Sequence, residues 1–248
     1  MTTSLYLMQF QPDLRRLLPW AERRGLLASR GGGDLGYAFH GALSEAFGDL
    51  APKPYSYRSS HGLLAYTQHS PQAMQENASL ATPEVSDMLG LTATPRTPGL
   101  LIRPFPGSWR AGQILSFEVR VRPVQRAVRG GERDVFLAEV DKHPDAGVDR
   151  ATTYQDWLRR QFEGAARITD ATMTQFKLSA VLRRHAAKGD SARPSHIVNG
   201  PEAVFAGHLT VENGEQFAQK VTRGIGRHRA FGFGMLLLKP AQAGRSAC

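Results

Sequence analysis

Short stretches of alternating or dense apolar residues and longer stretches with a helical period follow one another along the chain, and their order repeats. "SLYLMQF", Ser4 to Phe10, reads as a strand. "DLGYAFHGALSEAFG" then reads as a helix starting near Asp34, a residue type whose carboxylate accepts from the open amides of a first turn. "PYSYR" and "GLLAYTQHS" are short, rich in aromatic and branched residues, and predict two strands. A polar stretch from Gln72 to Leu89 has modest helical character, and "TATPRTPG" breaks the chain before a strand in "LLIRPFPG".

The second half runs through the same order. "QILSFEVRVRPV" alternates as a strand. "TTYQDWLRRQFEGA" puts Tyr154, Trp157, Leu158 and Phe162 on one helical stripe and Arg159 and Arg160 on the far side. "TMTQFKLSAVLRR" and "AVFAGHLTV" predict strands, and "NGEQFAQKVTRGIG" a helix with Phe217, Val221 and Ile225 one turn apart. "FGFGMLLLKP" is read as the closing strand. Two successive β-α-β-β-α-β units predict an α+β protein of two tandem ferredoxin-like domains, each with helices on one face of an antiparallel sheet. The expected domains are 1–107 and 108–242, joined between Pro106 and Gln113, with a frayed tail over 243–248.

Composition narrows the partner more than the fold. The chain has 248 residues, 41% of them hydrophobic and 21% charged, which suits ordinary globular domains. No apolar stretch reaches the roughly 18 residues that a membrane-spanning helix needs. The opening "MTTSLYLMQFQPD" lacks the features of a secretory signal, so a soluble, cytoplasmic protein is expected. Cys248 is the single cysteine, so neither an internal disulfide nor a thiolate zinc cluster is expected. The 31 basic residues outnumber the 22 acidic ones, for a net charge of +9, and all but six are arginine. A planar guanidinium binds phosphates and base edges with two parallel hydrogen bonds and stacks on bases, so this balance favours a nucleic acid. An arginine-rich composition without any such partner fits the same counts.

Candidate chemistry concentrates in "RGIGRHRAFGFGMLLL", Arg223 to Leu238. It is no dinucleotide fingerprint, because Arg229 occupies the third glycine position and no helix follows. It is no Walker loop either, since the Gly-Lys-Ser/Thr ending is absent. What remains is a helix ending at Gly224, an exposed basic turn of Arg227, His228 and Arg229, and a strand opened by Gly232 and Gly234. Such a turn offers amides and guanidinium groups to phosphates. A purely structural helix-to-strand turn fits the glycines equally well. On the first predicted helix, spacing puts Tyr37, His40 and Ser44 on one stripe, away from Phe39, Leu43 and Ala46. The eight histidines show no ligand spacing, so no metal and no cofactor are expected.

"GIGRHRAFGFGMLLL" resembles the carboxy-terminal glycine-rich loop of the CRISPR-associated endoribonucleases that cut precursor CRISPR RNA within its repeats, in the Cascade-type branch called CasE. "PGSWRAGQILSFEVRVRPVQR", "TTYQDWLRRQFEGAARI" and "VFAGHLTVENGEQFAQKVTRGIG" resemble further segments of that family and cover most of the second half. His228 and the arginine-rich "RVRPVQRAVRGGERD" depart from the usual pattern, which keeps a sibling branch open, such as the type IV processing enzyme.

The resemblance implies RRM-related domains and a metal-independent endoribonuclease in which a ribose 2′-hydroxyl attacks the adjacent phosphate. It implies His40 as proton-transfer residue, with Tyr37 orienting it or sharing the acid-base role. A position early in a helix, near the positive end of the dipole, is expected to lower the His40 pKa. It further implies a repeat-hairpin RNA as partner and other subunits of a CRISPR effector complex. Arg223, Gly224, Gly226, Arg227, His228 and Arg229 are the expected phosphate binders. Arg120, Arg122, Arg126, Arg129 and Arg133 are assigned to the RNA stem, Arg183 and Arg184 to an extension of that surface, and Arg23, Arg24 and Arg30 to the scissile phosphate. The competing readings are a non-catalytic RNA-hairpin-binding subunit and a protein that binds a small anion.

Overall fold

The computed structural model describes residues 4–27, 35–127, 130–184 and 195–241. The first half runs β1 (Leu5–Phe10), α1 (Leu14–Arg23), α2 (Gly36–Phe47), β2 (Tyr55–Arg58), β3 (Gly62–Thr67), α3 (Pro71–Leu80), α4 (Pro83–Leu89) and β4 (Leu101–Phe105). Its sheet is antiparallel in the order β2-β3-β1-β4. The second half runs β5 (Ile114–Val121), β6 (Val124–Arg126), β7 (Glu132–Asp134), α5 (Val135–Lys142), α6 (Arg150–Phe162), β8 (Ala166–Arg184), β9 (Ser195–Val211), α7 (Gly214–Arg223) and β10 (Leu237–Pro240). Its main sheet, β10-β5-β9-β8, has the same strand order once β6 and β7 are set aside as a separate hairpin. Both halves are therefore ferredoxin-like, as the repeated pattern predicts.

Local chemistry explains most boundaries. In β5, Leu115, Phe117, Val119 and Val121 point inward and the residues between them point outward. Asp149 caps α6 by accepting from the Thr152 amide, and Asn213 caps α7 by accepting from Gln216. The single weak helix expected over 72–89 is two helices. Pro83 supplies no amide hydrogen and holds Thr82 in an extended conformation, so the chain stops at Ala81 and restarts. Helix α1 was not anticipated: Pro19 lies inside it, and only Leu17, Trp20 and Ala21 are buried. The expected cap at Asp34 lies outside the described residues; α2 is preceded by Leu35, which makes no side-chain cap.

Two further expectations change. The β8–β9 hairpin is longer than predicted, with pairing continuing to Arg184 and Ser195. The closing strand is shorter, beginning at Leu237, because Gly232 and Gly234 adopt φ of 79° and 78° and cannot continue a strand.

One face of the first sheet, carrying Met8, Phe10, Leu63 and Ala65, packs on α1 to α4. On its other face, Leu5, Leu7 and Tyr66 join the core of the second half. The Tyr66 hydroxyl donates to the Leu236 carbonyl at 2.8 Å, tying β3 to the chain just after the glycine-rich loop. The described residues include no helix long and apolar enough to cross a membrane.

Candidate active site

Two backbone contacts give the glycine-rich loop its shape. Ile225 N donates to Gly234 O at 2.8 Å, and Gly234 N donates to Arg120 O at 2.7 Å, so the segment between them projects as a closed loop anchored on β5. A side chain at Gly234 would meet Ile225 O at 2.1 Å, which only glycine avoids. A short 3-10 turn, Arg229–Phe231, brings the loop against α2 and the start of β2.

Phe231 joins the two halves there. Its ring stacks on Tyr37 at 5.4 Å with planes 19° apart, and meets His40 edge-on at 5.2 Å. Tyr37 and His40 are themselves 5.9 Å apart. The helix spacing read from sequence therefore holds: Phe39, Leu43 and Ala46 are buried, while Tyr37 and His40 are half-buried at the contact with the loop and Ser44 is exposed. The His40 pKa lies below its ordinary 6.5, the expected direction, but the causes are burial first and the charge of Lys53 second.

Next to this contact opens a cleft of about 980 Å³. Its walls come from the segment after α2, the end of β3, the end of α7 and the loop, and they include Lys53, His69, Arg223, Arg227, Arg229 and Phe231. His40 is not among the wall residues; it meets the ring of Phe231, which is, and is close enough to Lys53 to feel its charge. Two of these arginines are bonded to the protein. Arg227 Nε donates to Glu132 at 2.7 Å, and Arg229 donates to the Arg223 carbonyl at 3.0 Å, closing the end of α7. Sequence reasoning missed Lys53, His69, Phe231 and Glu132. An aromatic ring between glycines is a usable signal for Phe231; the others lie in short connections with no local pattern.

Several expected RNA-contacting residues are placed elsewhere. Arg122 is 1% exposed and donates to Ser179 and to the Val198 carbonyl, so it belongs to the interior and not to a stem-facing surface. Arg120 is partly buried, lies over the Phe233 ring at 4.1 Å and forms a two-point ion pair with Glu202 at 2.9 Å. His228 is not part of an exposed turn: its side chain is 2% exposed and bonded to Glu132. Arg126 and Arg133 are exposed on the β6–β7 hairpin, Arg133 paired with Asp141 at 2.5 Å. Arg183 and Arg184 end β8. Arg23 pairs with Glu84 and Arg24 with Glu45 on the helical side of the first sheet, away from the cleft walls. Arg129 and Arg30 lie outside the described residues. Among the described residues no three His, Cys, Asp or Glu side chains are grouped as metal ligands.

Residues 5–240 match the family described as CRISPR associated protein, and the chain belongs to that family. The resemblance read from the glycine-rich loop is thereby borne out. Among solved structures, CRISPR endoribonuclease Cse3 bound to a 19-nt RNA is similar, with a TM-score of 0.64 and 18% identity over 97% of this chain and 100% of that one. Thermus thermophilus Cse3 bound to an RNA representing a pre-cleavage complex gives a TM-score of 0.60 and 18% identity over 96% and 100%. A chain of a CRISPR RNA-guided surveillance complex, pre-nicking, gives 0.54 and 17% over 94% and 98%. At these identities the likeness establishes a shared fold. No curated protein sequence matches the chain.

Proposed function

We propose that this protein is a metal-independent endoribonuclease that cuts precursor CRISPR RNA within a repeat hairpin. The observation that carries the reading is the meeting of Tyr37 and His40 with Phe231 of the glycine-rich loop at the margin of a cleft bearing Lys53, Arg223, Arg227 and Arg229. The similar Cse3 structures are both bound to RNA, one as a CRISPR endoribonuclease and the other with an RNA representing a pre-cleavage complex, which supports the substrate class.

The chemistry follows from the side chains. A histidine with a lowered pKa is neutral at neutral pH and can accept the proton of a ribose 2′-hydroxyl. The 2′-oxygen then bonds to the neighbouring phosphorus, and the bond from phosphorus to the 5′-oxygen breaks, leaving a 2′,3′-cyclic phosphate. The departing 5′-oxygen takes a proton from the Tyr37 hydroxyl, which His40 restores, so protons balance over the cycle. The phosphorane gains negative charge as it forms, and the cleft cations stabilise it. Stem recognition rests on backbone and shape, because A-form RNA hides its base edges in a deep groove. Retention of the product within an effector complex fits the same reading, with the RNA as common tether.

The test is a labelled transcript of the repeat from the chain's own locus, incubated in EDTA. The wild-type protein yields one internal cut with a cyclic-phosphate end, and His40→Ala lowers the single-turnover rate by on the order of 10² to 10⁴. Cleavage by His40→Ala at the wild-type rate rejects the catalytic assignment. Tight binding with no cut by the wild type rejects the enzyme in favour of a binding subunit.

A further inference from the structure

Glu132 has no part in the reaction above, yet it holds the loop at two points. It lies on β7, and its side chain is 5% exposed. One carboxylate oxygen accepts from Arg227 Nε at 2.7 Å and the other from His228 Nε2 at 2.6 Å. The bond from His228 leads the causes that hold its pKa down at about 2, so the carboxylate stays anionic throughout the neutral range.

His228 is the unusual member of the pair. Its backbone has φ of 61°, and among the described residues it is the sole non-glycine with positive φ. A side chain other than glycine holds that conformation only when surrounding contacts fix it. Here the ring lies 6.1 Å from Phe231 and 6.3 Å from Phe233, and the His228 carbonyl accepts from Phe231 N at 2.8 Å. Contact therefore runs from Glu132 through His228 to Phe231, and from Phe231 to Tyr37 and His40.

We propose that Glu132 is a positioning residue for RNA cleavage, acting through His228 to seat Phe231 against the Tyr37–His40 pair. The proposal rests on the RNA-cleaving reading above. It differs sharply from the simpler role of offsetting the charge of Arg227. Under that role, removing the carboxylate charge leaves Arg227 more attractive to phosphate, so RNA binding tightens and the cutting step is unaffected. Under positioning, the cutting step slows and ground-state binding changes little, because Arg223 and Arg229 do not bond to Glu132 and stay in place while the proton-transfer geometry is lost.

The experiment measures single-turnover cleavage of the repeat hairpin, and binding of the same RNA made 2′-deoxy at the mapped cut, for wild type, Glu132→Gln, His228→Asn and His228→Ala. Glu132→Gln slows cutting roughly ten- to hundredfold and leaves the dissociation constant within about threefold of wild type. His228→Asn tolerates the left-handed backbone and keeps an N–H toward Glu132, so it recovers most of the rate that His228→Ala loses. Wild-type cutting speed in Glu132→Gln, tighter binding with unchanged speed, or equal losses in His228→Asn and His228→Ala each overturn the proposal. Failure of the wild type to cut the RNA instead sinks the enzymatic reading, so the two failures are told apart. Thermal melts accompany every variant. Should Glu132→Gln not fold, the contrast between the two His228 variants decides the matter.

Discussion

Arg120 near the end of β5 and Arg122 just beyond it, and Arg223, Arg227 and Arg229 around the glycine-rich loop, look alike as sequence and are placed differently in the fold. The guanidinium groups of the first two both lie near Phe233, at 4.1 Å and 5.6 Å. They support the loop from beneath, with charge and hydrogen bonds directed to Glu202, Ser179 and Val198. The second group lines the cleft, and Arg223, Arg227 and Arg229 are all exposed. Arginine spacing tells which residues share a face. Whether that face is covered depends on strands tens of residues away.

That contrast can be broken most directly at Arg122. Truncation to alanine removes a buried guanidinium, opens a cavity and leaves the Ser179 and Val198 carbonyls short of a donor, so unfolding in denaturant should report a loss on the order of 3 kcal/mol. An unchanged midpoint together with a weaker salt dependence of RNA binding would place Arg122 on the RNA side after all.

A smaller effect is expected from the cleft group. Arg223→Ala and Arg229→Ala should each reduce the slope of log affinity against log salt by about 0.7 to 0.9. Stability should hardly move for Arg223→Ala, since its side chain is exposed. A slope identical to wild type in the double variant would mean that the cleft cations do not meet phosphate.

The smallest effect sharpens the electrostatic side of the comparison. Burial and Lys53 both disfavour the imidazolium form of His40, so with His40 as the proposed base, activity should persist to a pH below 6.5 and be lost as pH falls through the lowered value. The acid limb of kcat/KM should therefore lie below 6.5, and Lys53→Gln should move it partway up, burial being the larger cause. A limb that does not shift would remove Lys53 from the neighbourhood of the reacting groups.

The parts of this architecture that were readable in the chain are those set by near neighbours. The helical period marked α6 and α7, and the three-residue step between Tyr37 and His40 placed both on the stripe away from Phe39 and Leu43. The strand order followed from repetition of one unit. Readings failed where a distant partner decides the outcome. Arg122 alternates like a surface residue until the β8–β9 hairpin closes over it. The loop glycines resemble strand residues until the return of Gly234 to Ile225 demands positive φ. Glu132, amid arginines in "RGGERD", shows nothing in its own segment of the ring and guanidinium that meet it from a loop far along the chain.

The stacking of Phe231 on Tyr37 has a consequence for the newly made protein. The helix bearing Tyr37 and His40 leaves the ribosome and can fold long before Phe231 has been synthesised. Until translation passes that phenylalanine, the nascent chain holds Tyr37 and His40 without the ring that packs on both of them in the finished fold.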